Sequence, residues 1–187
     1  MLRVVAVIKH LAIRGLAFYG ENETIGFLHN GNFLGCLELV SEFDPFLAKH
    51  LEKYGNPGSG RTSYLSSTTV DDFIDLIAKE VFHAVISEIK TSKFYSLVLD
   101  STPDISHTDQ LTVIVRYVSS YCEPVERFLT FIPIKGHSAE YLTETVVEYI
   151  QSVGLNIADC REQSYDNASN MAGKYAGLQQ ELNCLIH

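Results

Sequence analysis

The spacing of apolar residues divides the chain into a helical first half and a mixed second half. Apolar residues recur at helical intervals over 4–16, 33–43 and 70–89, and more briefly over 46–51. Because this spacing places side chains on one face of a helix, it predicts three amphipathic helices and one or two further turns. Thr68 or Thr69 is the predicted N-cap of the last helix. A glycine-rich stretch near residues 55–60 predicts a linker before that helix.

From Phe94 onwards the pattern changes from helix to strand. Runs of apolar, β-forming residues over 94–99, 111–118 and 125–134 predict three strands. A helix with its buried face between Leu142 and Val153 follows, then a weaker strand within 157–165 and a final helix from about Tyr175. Three consecutive strands predict an antiparallel meander, and the helical crossover allows the fourth strand to pair in parallel. The predicted fold class is therefore α/β, with an N-terminal helical region followed by a mixed sheet in the order βββαβα.

Composition and charge limit the classes of function. The chain has 187 residues, of which 46% are hydrophobic and 20% charged, as in a folded globular protein. Its net charge of −9 repels phosphate backbones, so DNA would have to be held by a partner or by another domain. Basic residues interrupt the apolar first 20 residues, which predicts no membrane segment. The four cysteines form no CxxC pair, and we interpret them as reduced thiols of an intracellular protein.

Two carboxylates follow predicted strands. Asp100 closes the first strand, and Asp166 follows the fourth. Taken alone, Asp100 and the Ser-Thr-Pro after it are typical of a turn. If the first and fourth strands are neighbours, however, both carboxylates lie at one edge of the sheet and repel each other unless a cation lies between them. Carboxylate oxygens suit Mg²⁺ or Mn²⁺, the ions of two-metal phosphodiester chemistry.

The residues themselves carry a family resemblance. The resembling stretches lie at 11–18, 31–34, 42–51, 100–107, 110–111, 163–171 and 173–179, and they include Asp100-Ser101-Thr102-Pro103 and Ser164-Tyr165-Asp166-Asn167. In order and spacing they resemble the RNase H-like catalytic core of hAT-type transposases. More narrowly, the chain is similar to the domesticated, transposase-derived domain of zinc finger MYM-type protein 1-like proteins.

The resemblance implies a DDE site in which Asp100 and Asp166 are the first two acids and metal ligands. The third acid of the family, a glutamate, comes after a large helical insertion, later than any residue of this sequence. We therefore expect a C-terminally truncated RNase H-like domain over 93–187, preceded by an N-terminal helical region over 1–92. Cys184 and His187 match the pattern of a Cys-x-x-His motif of the family, but they come too soon after Asp166.

Three hypotheses about function follow. The first is a domesticated hAT transposase-like fragment that keeps two of three acids, binds Mg²⁺ or Mn²⁺ weakly and is catalytically inactive. The alternative is a protein–protein interaction module in nuclear regulation, without metal. An incomplete sheet would leave apolar surface or an open edge, which favours a protein partner or self-association. A third hypothesis is that the domain is an active nuclease and that a partner protein supplies the glutamate missing from its active site.

Overall fold

A computed structural model of the chain describes residues 1–56, 64–103, 109–136 and 138–165, together with Leu182. The chain divides into two compact units, Met1–Glu80 and Val81–His187, which are described separately below. Residues 57–60 of the predicted linker lie outside the described residues, and the boundary expected at residue 92 stays a prediction. No helix among the described residues has the length and apolar character needed to cross a membrane.

The N-terminal unit contains the helices α1 (Leu2–Ile13), α2 (Gly31–Ser41) and α3 (Pro45–Tyr54) and the first part of α4 (Ser67–Ser92). Each helix turns its apolar stripe towards a common core, as the helical spacing predicts. The buried members of that core are Val4, Val7, Ile8, Leu11, Phe33, Leu34, Leu37, Leu47, Leu51, Leu65 and Val70. The helices predicted from the sequence are confirmed.

Helix α3 is longer than its apolar spacing predicts, and its first turn is strongly capped. The Asp44 carboxylate accepts hydrogen bonds from the backbone N–H of Phe46 at 3.0 Å and of Leu47 at 3.1 Å. Pro45 occupies the first helical position, where no N–H donor is required. The Arg3 guanidinium also pairs with Asp44, and its hydrogen bond, with those of the two backbone groups, holds the pKa of that carboxyl below its usual value.

The segment between α1 and α2 closes on a contact between two glycine backbones. Gly31 has φ +86°, and a Cβ atom built there would lie 2.4 Å from the backbone nitrogen of Gly20. Next to this contact, the Phe33 N–H donates to the Phe18 carbonyl at 2.9 Å. The Asn32 side chain donates to the Ala17 carbonyl at 2.7 Å. Residues 31–34, one of the resembling stretches, therefore fix the entry of the chain into α2.

The C-terminal unit is built on a mixed sheet of four strands: β1 (Tyr95–Pro103), β2 (Asp109–Val118), β3 (Pro124–Pro133) and β4 (Cys160–Tyr165). Their order is β3-β2-β1-β4, with β1–β2 and β2–β3 antiparallel and β1–β4 parallel. Helix α5 (Ala139–Ser152) and a short 3₁₀ helix (Ile157–Asp159) form the crossover. The predicted α/β fold class and its mixed sheet are confirmed. The final helix expected from Tyr175 lies outside the described residues apart from Leu182, which is helical and buried.

The two faces of this sheet have different environments. On one face, alternate residues of β1 and β2 pack against α5 and the end of α4, and the buried members are Ile86, Ile89, Tyr95, Leu97, Leu99, Leu111, Val113, Val115, Tyr117, Leu142, Val146 and Ile150. Because successive side chains of a strand point to opposite faces, Ser96, Val98 and Asp100 belong to the other face. These three residues are half-buried.

Candidate metal centre

Asp100 lies on β1, an inner strand flanked by β2 and β4. The strand does not end at this residue, contrary to the prediction. It continues to Pro103, with Ser101 opposite Leu111 and Pro103 opposite Asp109. The alternative interpretation of residues 100–103 as a turn is therefore wrong, because pairing with β2 keeps this segment extended. Asp100 thus has the extended backbone of a strand, and it belongs to the face of the sheet opposite the apolar core.

The neighbour of β1 on its other side is β4, as the metal-site hypothesis requires. The two strands pair in parallel from Tyr95 opposite Cys160 to Leu99 opposite Tyr165. An irregularity near the start of the pairing takes up one extra residue, Arg161, whose guanidinium lies over the Phe94 ring at 4.1 Å from its centroid. The condition set for the metal site, that the first and fourth predicted strands are neighbours, is therefore met, and the parallel pairing that the helical crossover allows is found.

Asp166, the second predicted ligand, lies outside the described residues. It directly follows Tyr165, the partner of Leu99 in the last described β1–β4 pair. Asp100 in turn directly follows Leu99, so each aspartate comes directly after one member of this pair in the sequence. That they come together in space stays a prediction. Cys184 and His187 also lie outside the described residues.

The Asp100 carboxylate is half-buried and has no partner among the residues that the structure describes. Within the described part of the chain, no hydrogen bond or ion pair joins its side chain to another residue. The ion pairs that the structure does show there, Arg3–Asp44, Arg116–Glu126 and Arg127–Glu88, involve other acids. A partly desolvated carboxylate is normally paired, hydrogen-bonded or bound to a cation. The environment of Asp100 therefore fits a ligand for a hard divalent ion.

Cysteine takes no visible part in this site. Cys36, Cys122 and Cys160 are free thiols. Cys160 opens β4 but is fully buried in the core of the C-terminal unit, and burial raises the pKa of its thiol. A buried thiol of this kind is a core residue with low reactivity. Among the described residues, no cluster of three or more His, Cys, Asp or Glu side chains could hold a metal.

The fold is an α/β domain with a four-stranded mixed sheet, and the comparisons with known proteins identify the kind of domain. The family model described as "DUF4371: ZMYM1/FAM200, RNase-like domain" matches residues 1–177, and the chain belongs to this family. Curated relatives include the human and mouse proteins named "52 kDa repressor of the inhibitor of the protein kinase". Each is 25% identical over 150 residues, which are 80% of this chain. The matched region is 19% of the length of each relative, so the chain spans a small part of these proteins.

Proposed function

We propose that this domain derives from an hAT-type transposase and keeps two acids of its metal site, Asp100 and Asp166, as weak ligands of Mg²⁺ or Mn²⁺. The observation that carries the proposal is the parallel pairing of β1 with β4 up to Leu99 and Tyr165, the residues directly before the two aspartates. The half-buried Asp100 carboxylate, which has no partner in the described ranges of the chain, supports it further. Family membership supports the RNase-like character of the domain.

The proposal requires the register of β1 and β4 to continue by one residue. Asp166 would then lie opposite Asp100 on the same face of the sheet, with the two backbones about 4.8 Å apart. At such a separation each carboxylate raises the cost of ionising the other, and a divalent cation between them removes that cost. Two carboxylates with several retained waters are a common ligand set for Mg²⁺.

We further propose that residues 1–187 do not cleave nucleic acid. A two-metal site stabilises both the attacking and the leaving oxygen, and this requires more ligands than two carboxylates supply. Losing one such contribution removes a large part of transition-state stabilisation. In this proposal the domain contributes to a nuclear protein whose contact with DNA depends on other domains or partners, since the net charge of −9 opposes direct binding.

A second candidate function is protein–protein interaction in nuclear regulation. The relatives' printed name describes a repressor, which is a regulatory protein. In this chain, Phe128 and Phe131 of β3 are 51% and 55% exposed, and their ring centroids lie 4.7 Å apart. Exposed aromatic pairs are enriched at protein interfaces. This function would need no metal.

A metal titration separates the two candidates. We expect the chain to bind Mn²⁺ with a dissociation constant in the millimolar range, measured by titration calorimetry, and both Asp100→Ala and Asp166→Ala to abolish binding. Asp75→Ala is the matched control, because it removes the same charge from an exposed position on α4. Its affinity should equal that of the parent. If the parent binds neither ion, or if the two site variants bind as well as Asp75→Ala, the metal-site proposal is wrong and the interaction function is favoured.

A nicking assay tests the proposed inactivity. Supercoiled plasmid incubated with the chain and Mn²⁺ should be nicked no faster than plasmid with Mn²⁺ alone, because two carboxylates do not complete a two-metal site. The Asp100→Ala variant should give the same background rate. Metal-dependent nicking by the parent that disappears in Asp100→Ala would show that the domain is a nuclease.

A further inference from the structure

The face of the sheet that carries Asp100 also carries one hydroxyl directly opposite it. We propose that Thr112 is a positioning residue of the metal site, and that its hydroxyl donates a hydrogen bond to the Asp100 carboxylate when that carboxylate holds a cation. This inference rests on the proposed function, since it assigns a second residue to the same site. Asp100 and Thr112 both lie in the part of the chain that the structure describes.

The register of the β1–β2 pair brings the two residues together. Asp100 is paired with Thr112, and directly opposed residues of an antiparallel pair have Cβ atoms about 4.5–5.5 Å apart on the same face. Both residues are half-buried, whereas Leu99 before Asp100, and Leu111 and Val113 on either side of Thr112, are buried in the core. A threonine hydroxyl and a carboxylate oxygen at this Cβ separation are within reach of each other through side-chain rotation.

The other close neighbours of Asp100 are less suited to the role. Ile114 has no hydrogen-bonding side chain, and Gln110 is already engaged in another interaction. Ser101 follows Asp100 directly, so its side chain points to the opposite face. Ser164 of β4 lies opposite Val98, two residues before Asp100. The Thr112 hydroxyl makes no hydrogen bond within the described part of the chain, so it has no such side-chain contact there to give up.

The chemistry of carboxylate ligands explains what the hydroxyl would do. An aspartate that binds a cation through one oxygen has a second oxygen free to accept a hydrogen bond. A donor there fixes the orientation of the carboxylate, and loss of such a partner commonly weakens metal binding 10- to 100-fold. Threonine suits this task because its branched Cβ restricts the side chain to few rotamers. The hydroxyl would thus hold the Asp100 carboxylate in one orientation, so the carboxylate loses less conformational freedom when the ion binds.

The test compares two replacements of one residue. Thr112→Val keeps the size and branching of the side chain but removes the hydroxyl, whereas Thr112→Ser keeps the hydroxyl. In Mn²⁺ titrations of the full chain, we expect Thr112→Val to raise the dissociation constant about tenfold and Thr112→Ser to restore most of the affinity. Thr130→Val is the matched control, because Thr130 is paired with Val113 and lies on the opposite face of the same sheet. Its affinity should be unchanged.

The outcomes distinguish this inference from the function on which it rests. If the parent binds Mn²⁺ and Asp100→Ala does not, but Thr112→Val binds like the parent, the positioning role is wrong and the metal site stands. A Thr112→Ser variant as weak as Thr112→Val also overturns the role, because the hydroxyl would not be the cause. A parent chain that binds no Mn²⁺ overturns both proposals. Thermal unfolding of each variant, followed by circular dichroism, shows that the fold is retained.

Discussion

Replacing Gly31 with alanine is expected to destabilise the N-terminal unit by about 3 kcal/mol or more, combining left-handed backbone strain with a steric clash. Gly31 has φ +86°, a conformation that costs an L-residue roughly 1–2 kcal/mol. The added Cβ would also lie 2.4 Å from the Gly20 nitrogen and 2.6 Å from the Tyr19 carbonyl carbon. Both are backbone atoms, so relief requires the chain entering α2 to move. Urea denaturation followed by circular dichroism measures the loss.

Two other glycines separate the causes of this effect. Gly15 has φ +62° but no atom within 4 Å of an added Cβ, so Gly15→Ala should cost only the backbone strain, about 1–2 kcal/mol. Gly35 lies inside α2, and its added Cβ would meet only the Asn30 side chain, at 3.8 Å. Gly35→Ala should therefore stabilise the unit by up to about 1 kcal/mol through helix propensity. If Gly31→Ala costs no more than Gly15→Ala, the close contact of the two backbones does not exist in solution.

This contact gives a physical meaning to part of the family resemblance. Residues 31–34 resemble the family although they lie in the N-terminal unit and not on the sheet. Gly31 permits the close approach of two backbones, Asn32 holds the preceding loop, and Phe33 is buried in the core. Residues 42–51 likewise include the Asp44 cap of α3 and its pairing with Arg3. In both stretches the residues stabilise the fold, so resemblance there carries no information about catalysis.

Helix positions followed from the sequence, but helix ends did not. Apolar spacing locates the core face of each helix because burial dominates its stability. The cap of α4 was predicted at Thr68 or Thr69, and this was wrong: the helix begins at Ser67, and the Ser66 hydroxyl accepts a bond from the Thr69 N–H. Several hydroxyls in a row satisfy the same sequence preference, and the backbone geometry selects one of them.

The meander and the helical crossover were predictable because few connections satisfy the rules of chain topology. They allowed β4 to pair in parallel, and the structure shows that its neighbour is β1. The register was not predictable. The β1–β4 pairing shifts between Tyr95 and Ser96, and the β2–β3 pairing shifts between Val113 and Ile114. No pattern of apolar residues marks either irregularity. The β1–β2 pairing, which places Thr112 opposite Asp100, is regular. Thr112 was visible as part of an alternating strand, but alternation predicts only the face of a residue and not which residue of β1 lies opposite it.

A second large effect is expected in the central strand of the C-terminal unit. Leu97 is fully buried between the sheet and the helices that cover one of its faces. Leu97→Ala should cost about 2–5 kcal/mol, because it removes buried apolar area and leaves a cavity that its neighbours fill only in part. Urea denaturation should show the loss as a lower transition midpoint. Hydrogen exchange at the amides of β1 should accelerate accordingly.

The adjacent residue provides the control and connects this prediction to the site. Val98 is half-buried on the opposite face of the sheet, the face that carries Asp100. Val98→Ala should cost about 1 kcal/mol or less, since it removes two methyl groups from a partly exposed position and leaves no closed cavity. Equal losses at the two positions would mean that both faces of the sheet are covered in solution. Asp100 would then be enclosed, and an ion could not reach it without opening that second layer.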